Sequence, residues 1–139
     1  MSYALSAALQ EAVYGALSSD PALSALVGSA VFDQAPTGAL PGTYVSLGEE
    51  VVRDASDLSC PGAVHEFVVT VATDVPGFKE AKAAAAAVSD ALVGAQLTLA
   101  RGRLVSLTFV SARAGRSRND ARRRIDLRFR ARVDDSAPV

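Results

Sequence analysis

The chain has 139 residues, a length that fits one domain, and half of them are hydrophobic, so a core can form without disulfide or metal staples. Aromatics make up only 6% and tryptophan is absent, so that core has to be built from Ala, Val and Leu. The net charge of −1 hides an asymmetry. Residues 101–132 hold 11 of the 14 basic residues with only Asp120 and Asp126 against them, a local +9, while residues 1–100 hold 3 bases and 11 acids, a local −8. A chain with an acidic and a basic part can join copies of itself acid to base, in a head-to-tail contact that makes a ring if the rotation closes. The competing reading is scattered charge that only keeps the chain in solution.

In chain order, Leu5, Ala8, Leu9, Ala12, Val13, Ala16 and Leu17 recur at helical spacing, with Ser2 as N-cap and Ser18-Ser19 at the end. Glu11 inside this run and the lack of a basic start argue against a secretory signal. Asp20-Pro21 predicts a second, short helix, capped by Asp20 and closed by Gly28, with Leu23 and Leu26 facing inward. Val31-Phe32-Asp33 reads as a brief extended piece, and Pro36, Gly38, Pro41 and Gly42 as a loop. Tyr44–Val52 reads as a strand with Val45 and Leu47 on one face. Residues 54–62 form a polar loop with a Cys60-Pro61-Gly62 turn. Val64–Thr73 is a second strand, with Phe67, Val69 and Val71 on one face. Phe78–Val93 is an alanine-rich helix whose Ala81, Ala84, Ala85, Val88, Ala91 and Leu92 can lie close to a sheet, with Gly94 as its stop.

Leu97–Ala100 reads as a short strand, and Leu104–Ala112 as a longer one with Val105, Leu107 and Phe109 inward. Arg113–Ala121 is an arginine-rich loop. The last strand, RRRIDLRFRARV, is the clearest element. It alternates Ile125, Leu127, Phe129, Ala131 and Val133 with Arg124, Asp126, Arg128, Arg130 and Arg132, one buried face and one wet face. The expected fold is α+β: an antiparallel sheet of about four strands, two main helices packed on it, and a long arginine-rich hairpin at the C-terminal end. Residues 1–133 make one domain and 134–139 a loose tail.

Little here spells chemistry. His65, the lone histidine, sits on a strand beside Glu66, which must point to the opposite face, and reads as a surface or edge residue. Cys60, the lone cysteine, excludes an internal disulfide and a usual zinc site, and its pairing with His65 as a nucleophile is weak. No glycine pattern matches a phosphate-cradling loop. Glu49, Glu50, Asp54 and Asp57 read as a solvated acidic edge rather than an acid–base pair. No apolar run reaches the ~20 residues of a membrane helix. The arginine hairpin is the strong local signal. It suits docking against acidic protein surfaces through bidentate carboxylate pairs. It also suits phosphate binding, though with only two lysines and few exposed aromatics the docking reading is favoured over nucleic acid.

The ordered pieces LQEAVYGAL, DPALSALVGSAVFDQAP, PGTYVSLGEE, GAVHEFVVTVAT, PGFKEAKAAAAAVSDAL and the closing arginine–hydrophobic alternation resemble the tail-completion, or tail-terminator, proteins of long-tailed bacteriophages. The likeness is strongest to the version in gene transfer agents, and it runs to about Val133. It implies an antiparallel sheet flanked by helices and a homo-oligomeric ring, usually a hexamer. That ring sits on the head-proximal end of the tail tube, stops tube growth and meets the neck or stopper protein, while DNA passes through its channel without sequence-specific binding. It implies no cofactor, metal, membrane or catalytic residue, and a place in the virion after assembly in the host cytoplasm. Together with the charge pattern, it makes Arg113, Arg116, Arg118, Arg124, Arg128, Arg130, Arg132, Glu49, Glu50 and Asp54 candidates for contact with subunits or partners. A stopper or other head–tail connector is the alternative within the same assembly.

Overall fold

Asp20 divides the first two helices. Helix α1 (Ser6–Ser19) buries Ala8, Leu9, Val13 and Leu17 along one stripe, the expected face. Helix α2 (Pro21–Val27) starts where the Asp20 carboxylate accepts the Leu23 N–H at 2.9 Å, with Pro21 as first helical residue. It stops at Gly28, whose φ of 62° suits glycine. Its seven residues bury Leu23 and Val27, one turn apart, which turns Leu26 outward instead of inward. Helix α3 (Lys79–Leu92) buries Ala81, Ala84, Ala85, Ala87, Val88 and Leu92. The computed structural model describes residues 3–34, 41–56, 61–116 and 122–135. The expected Ser2 cap, Pro36, Gly38, Asp57, Cys60, Arg118 and the last four residues of the tail lie outside them.

Five strands follow: β1 (Val31–Phe32), β2 (Thr43–Asp54), β3 (Gly62–Thr73), β4 (Arg103–Arg116) and β5 (Arg123–Asp134). They form one sheet in the order β1-β2-β3-β5-β4. The fold is α+β with the two main helices expected, α1 and α3, and the short α2 between them, but the sheet is mixed and five-stranded rather than antiparallel and four-stranded. The extra strand is the short extended piece after α2. The Ala30 carbonyl accepts the Val45 N–H, which draws Val31 and Phe32 alongside β2 in parallel. Leu97–Ala100 forms no strand; β4 begins only after Gly102, at φ 73°.

The helices touch one another and α3 lies on β3 and β5, so they make one layer on one side of the sheet. Central β3 buries nearly every residue, and its Phe67 ring stacks on Phe129 of β5 at 5.8 Å. β5 keeps the alternation read from the sequence: Ile125, Leu127, Phe129, Ala131 and Val133 are buried. β4 does not. Leu107 is buried, but Val105 falls in a bulge between Leu104 and Ser106, and Phe109, opposite Phe129, is 46% exposed. As the outermost strand, β4 reaches past the cover of the helix layer, and two bulges break its alternation.

Candidate functional site

Because β5 buries its odd residues, Arg124, Asp126, Arg128, Arg130 and Arg132 stand on the sheet face away from the helices. The register adds Arg113 of β4, opposite Asp126, and Glu66 of β3, opposite Arg130. Arg53 of β2 reaches the same face and bonds Glu66 at 2.8 Å, with Arg130 3.6 Å from the same oxygen. Asp126 accepts from Arg124 at 2.9 Å and from the Thr70 hydroxyl at 2.7 Å. Arg132 donates to the Ala55 carbonyl at 3.0 Å. Glu66 and Asp126 are therefore both engaged inside the chain. Among the described residues, Arg113 and Arg128 have no ion-pair or hydrogen-bond partner, and neither has Arg116, which pairs with Arg123 and so lies on the helix side. Guanidinium groups left in this state offer planar, bidentate donors to a carboxylate or phosphate from outside.

Other arginines are structural, a division the sequence did not signal. Arg122 donates to the carbonyls of Pro41 and Gly42 and lies 5.4 Å over the Tyr44 ring. Arg123 sits 5.8 Å from the Phe78 ring centre. At the base of the hairpin Arg101 grips Asp135 through two bonds, at 2.7 and 3.1 Å, and Arg103 meets Asp134 at 3.1 Å.

The acidic group divides too. Glu49 is exposed in a bulge of β2, and Asp54 accepts the Ser56 hydroxyl at 2.8 Å. Glu50 turns to the helix side, opposite Phe67. Its carboxylate accepts the Tyr3 hydroxyl at 2.7 Å, the Ser6 hydroxyl at 2.6 Å and Nδ1–H of His65 at 3.1 Å. Burial works against its charge, but the hydroxyls of Ser6 and Tyr3 and the imidazole outweigh it, so its pKa is held below the ordinary glutamate value. His65 is thus not the surface residue expected: it is fully buried between Val52 and Ala131 on the neighbouring strands. The reason is that β3 is central, so its helix-side positions are covered whatever their polarity. Nε2, on the other side of the ring, has no hydrogen-bond partner among the described residues. Glu50 and His65 form a half-buried tie that fastens the start of α1 to the sheet. Among the described residues no three metal-binding side chains gather, and no helix is long and apolar enough to cross a membrane.

The described chain is a two-layer α+β fold with an arginine-rich sheet face turned away from its helices. The family model for tail completion protein gp17 matches residues 11–134, from within α1 to the end of β5, and the chain belongs to that family. It is a structural tail-completion protein. A chain from the structure of the virion of a native gene transfer agent particle is 62% identical, with a TM-score of 0.89 over 96% of this chain and 99% of that one. Comparison with curated proteins gave no match.

Proposed function

We propose that the protein is a tail terminator: copies assemble as a ring, six in number, on the head-proximal end of a finished tail tube. The ring ends tube polymerisation and presents a surface to the neck or stopper protein of the filled capsid. DNA passes through the central channel, met by charge and not by base readout. The protein performs no catalysis. It works as a virion part at the neck, assembled in the host cytoplasm, and residues 1–133 act as one domain.

The observation that carries this reading is family membership across nearly the whole chain, joined to a 62% identical chain in a gene transfer agent virion. The geometry supports it, since Arg113, Arg128 and Arg130 stand on the sheet face away from the helices, where arginines outnumber the acids among the described residues. The deciding experiment is electron microscopy of particles from a producer strain lacking the gene. Overlong or ragged tails beside unattached filled heads are expected. Tails of normal length on normal heads would remove the terminator reading. The arginine face would then stand as a nucleic-acid surface, to be tested by the salt dependence of duplex binding.

A further inference from the structure

The subunit carries unpaired charge of opposite sign on two opposite sides. On the sheet face away from the helices, Arg113 and Arg128 have no ion-pair or hydrogen-bond partner among the described residues. Ser111 pairs with Arg128 and Arg113 with Asp126 in an unbroken stretch of the β4–β5 ladder. The two arginines are therefore diagonal neighbours on adjacent strands, about 7–8 Å apart. The other arginines of this face, Arg53, Arg124, Arg130 and Arg132, are held by contacts inside the chain. Arg113 and Arg128 are thus the pair left to meet a group from outside.

The helix side holds the counterpart. No lysine or arginine occurs in the chain before Arg53. Helix α1 buries Leu9, Val13 and Leu17, so its opposite stripe, with Ala7, Glu11 and Tyr14, is exposed and turned away from the sheet. Glu11 has no ion-pair or hydrogen-bond partner among the described residues. It stands on a ridge between two open hollows. One, of about 410 Å³, lies between this stripe and Asp33; the other, of about 340 Å³, lies between Glu11 and residues 98–100. In the first hollow Asp33 accepts from the Gln10 side chain, a neutral donor that leaves its charge unbalanced. The Tyr14 ring, 39% exposed, lines the same hollow. Two carboxylates beside an aromatic ring suit an arginine, whose planar guanidinium pairs with carboxylate and packs on a ring face. Helix α3 differs, because its Glu80 and Asp90 are matched in number by Lys79 and Lys82.

A closed ring of more than two copies needs a heterologous contact, in which one surface of each copy meets a different surface of the next. The arginine pair and the α1 ridge fit that need. They lie on opposite sides of a two-layer subunit, and each carries charge that no described residue balances. We propose that the sheet face of one copy docks on the outer face of α1 in the next copy, with Arg113 and Arg128 reaching the α1 ridge and one guanidinium seated between Glu11 and Asp33 against Tyr14. The contact rests on the ring reading above and names the two surfaces that make the ring.

The test is a charge swap in the full-length chain, read in a producer strain as the number of tails joined to filled heads. One variant carries Arg113→Glu with Arg128→Glu, a second carries Glu11→Arg with Asp33→Arg, and a third carries all four changes. Each two-site variant sets like charges against each other at every junction, so completed particles should fall by about tenfold or more. The four-site variant restores opposite charges and should recover most of that loss. Thermal melting of the isolated variants checks that the fold survives; if the Asp33 change lowers it, Glu11→Arg and Arg128→Glu, singly and together, make the same comparison. Copies per wild-type particle are counted by quantitative mass spectrometry. Normal particle numbers from either two-site variant would overturn the contact. So would a four-site variant no better than the sheet-face reversal, which would show that the arginines meet a different protein or DNA. With several copies per particle, either result leaves the ring standing. One copy per particle would overturn the ring itself, and the contact with it.

Discussion

β4 and β5 are the two arms of one hairpin, paired over their length, yet they obey different rules. β5 lies between β3 and β4, so every second side chain is buried on the helix side and the alternation is strict. β4 has a neighbour on one side only, is bulged twice, and leaves Val105 and Phe109 near half exposure. The same apolar residue types therefore carry different meanings. In β5 they hold the monomer together, and in β4 they are available to something outside it.

Two phenylalanines in direct register make that difference measurable. Phe129 is fully buried between Phe67 and Phe109, and Phe129→Ala should cost about 3–5 kcal/mol in a denaturant titration. Phe109→Ala, losing a half-exposed ring, should cost about 1 kcal/mol or less in the monomer. Equal losses would break the distinction between the arms. Between these two lies the Glu50 tie. Glu50→Gln should destabilise by about 1–2 kcal/mol, because the neutral amide meets Tyr3, Ser6 and His65 less well than the carboxylate does.

The pH dependence of that tie has a definite sign. Glu50 has a lower pKa folded than unfolded, so its contribution is complete above the ordinary value near 4.5 and is lost as pH falls through the folded value. The wild-type chain should lose stability on acidification below that point more steeply than Glu50→Gln, and parallel profiles would refute the tie. The smallest effect on the monomer belongs to Arg128→Glu with Arg130→Glu. Both side chains leave the buried face, so the fold should stay within about 0.5 kcal/mol while assembly onto tails fails. Normal assembly by this double variant would remove the arginine face from any docking role.

The sequence was most legible where local rules were decisive. The Asp20 cap, the alanine face of α3 and the alternation of β5 depend on periodicity and capping, and each is found. It misled where tertiary position decides burial. His65 looked like an edge residue because nothing local says that β3 is the central strand. Val105 and Phe109 looked inward because bulges and the reach of the helix layer leave no local signal. For the arginines, the sequence showed that they cluster but not which are used inside the chain. Arg122 and Arg123 are held by carbonyls and rings, while Arg113 and Arg128 are not. The spacing of Glu50 from Tyr3 and Ser6, more than forty residues away, gave no hint of their bond.

Gly102 has a side to it beyond its turn. A Cβ there would fall 2.6 Å from the Asp134 carbonyl oxygen and 2.8 Å from Leu5 Cδ1, so the start of α1, the base of the hairpin and the end of β5 meet at one point. The Arg101–Asp135 and Arg103–Asp134 pairs lock the same corner. In mechanical terms, the corner is a clasp. It fastens the entrance to the first helix to the exit of the last strand, two points about 130 residues apart in the chain.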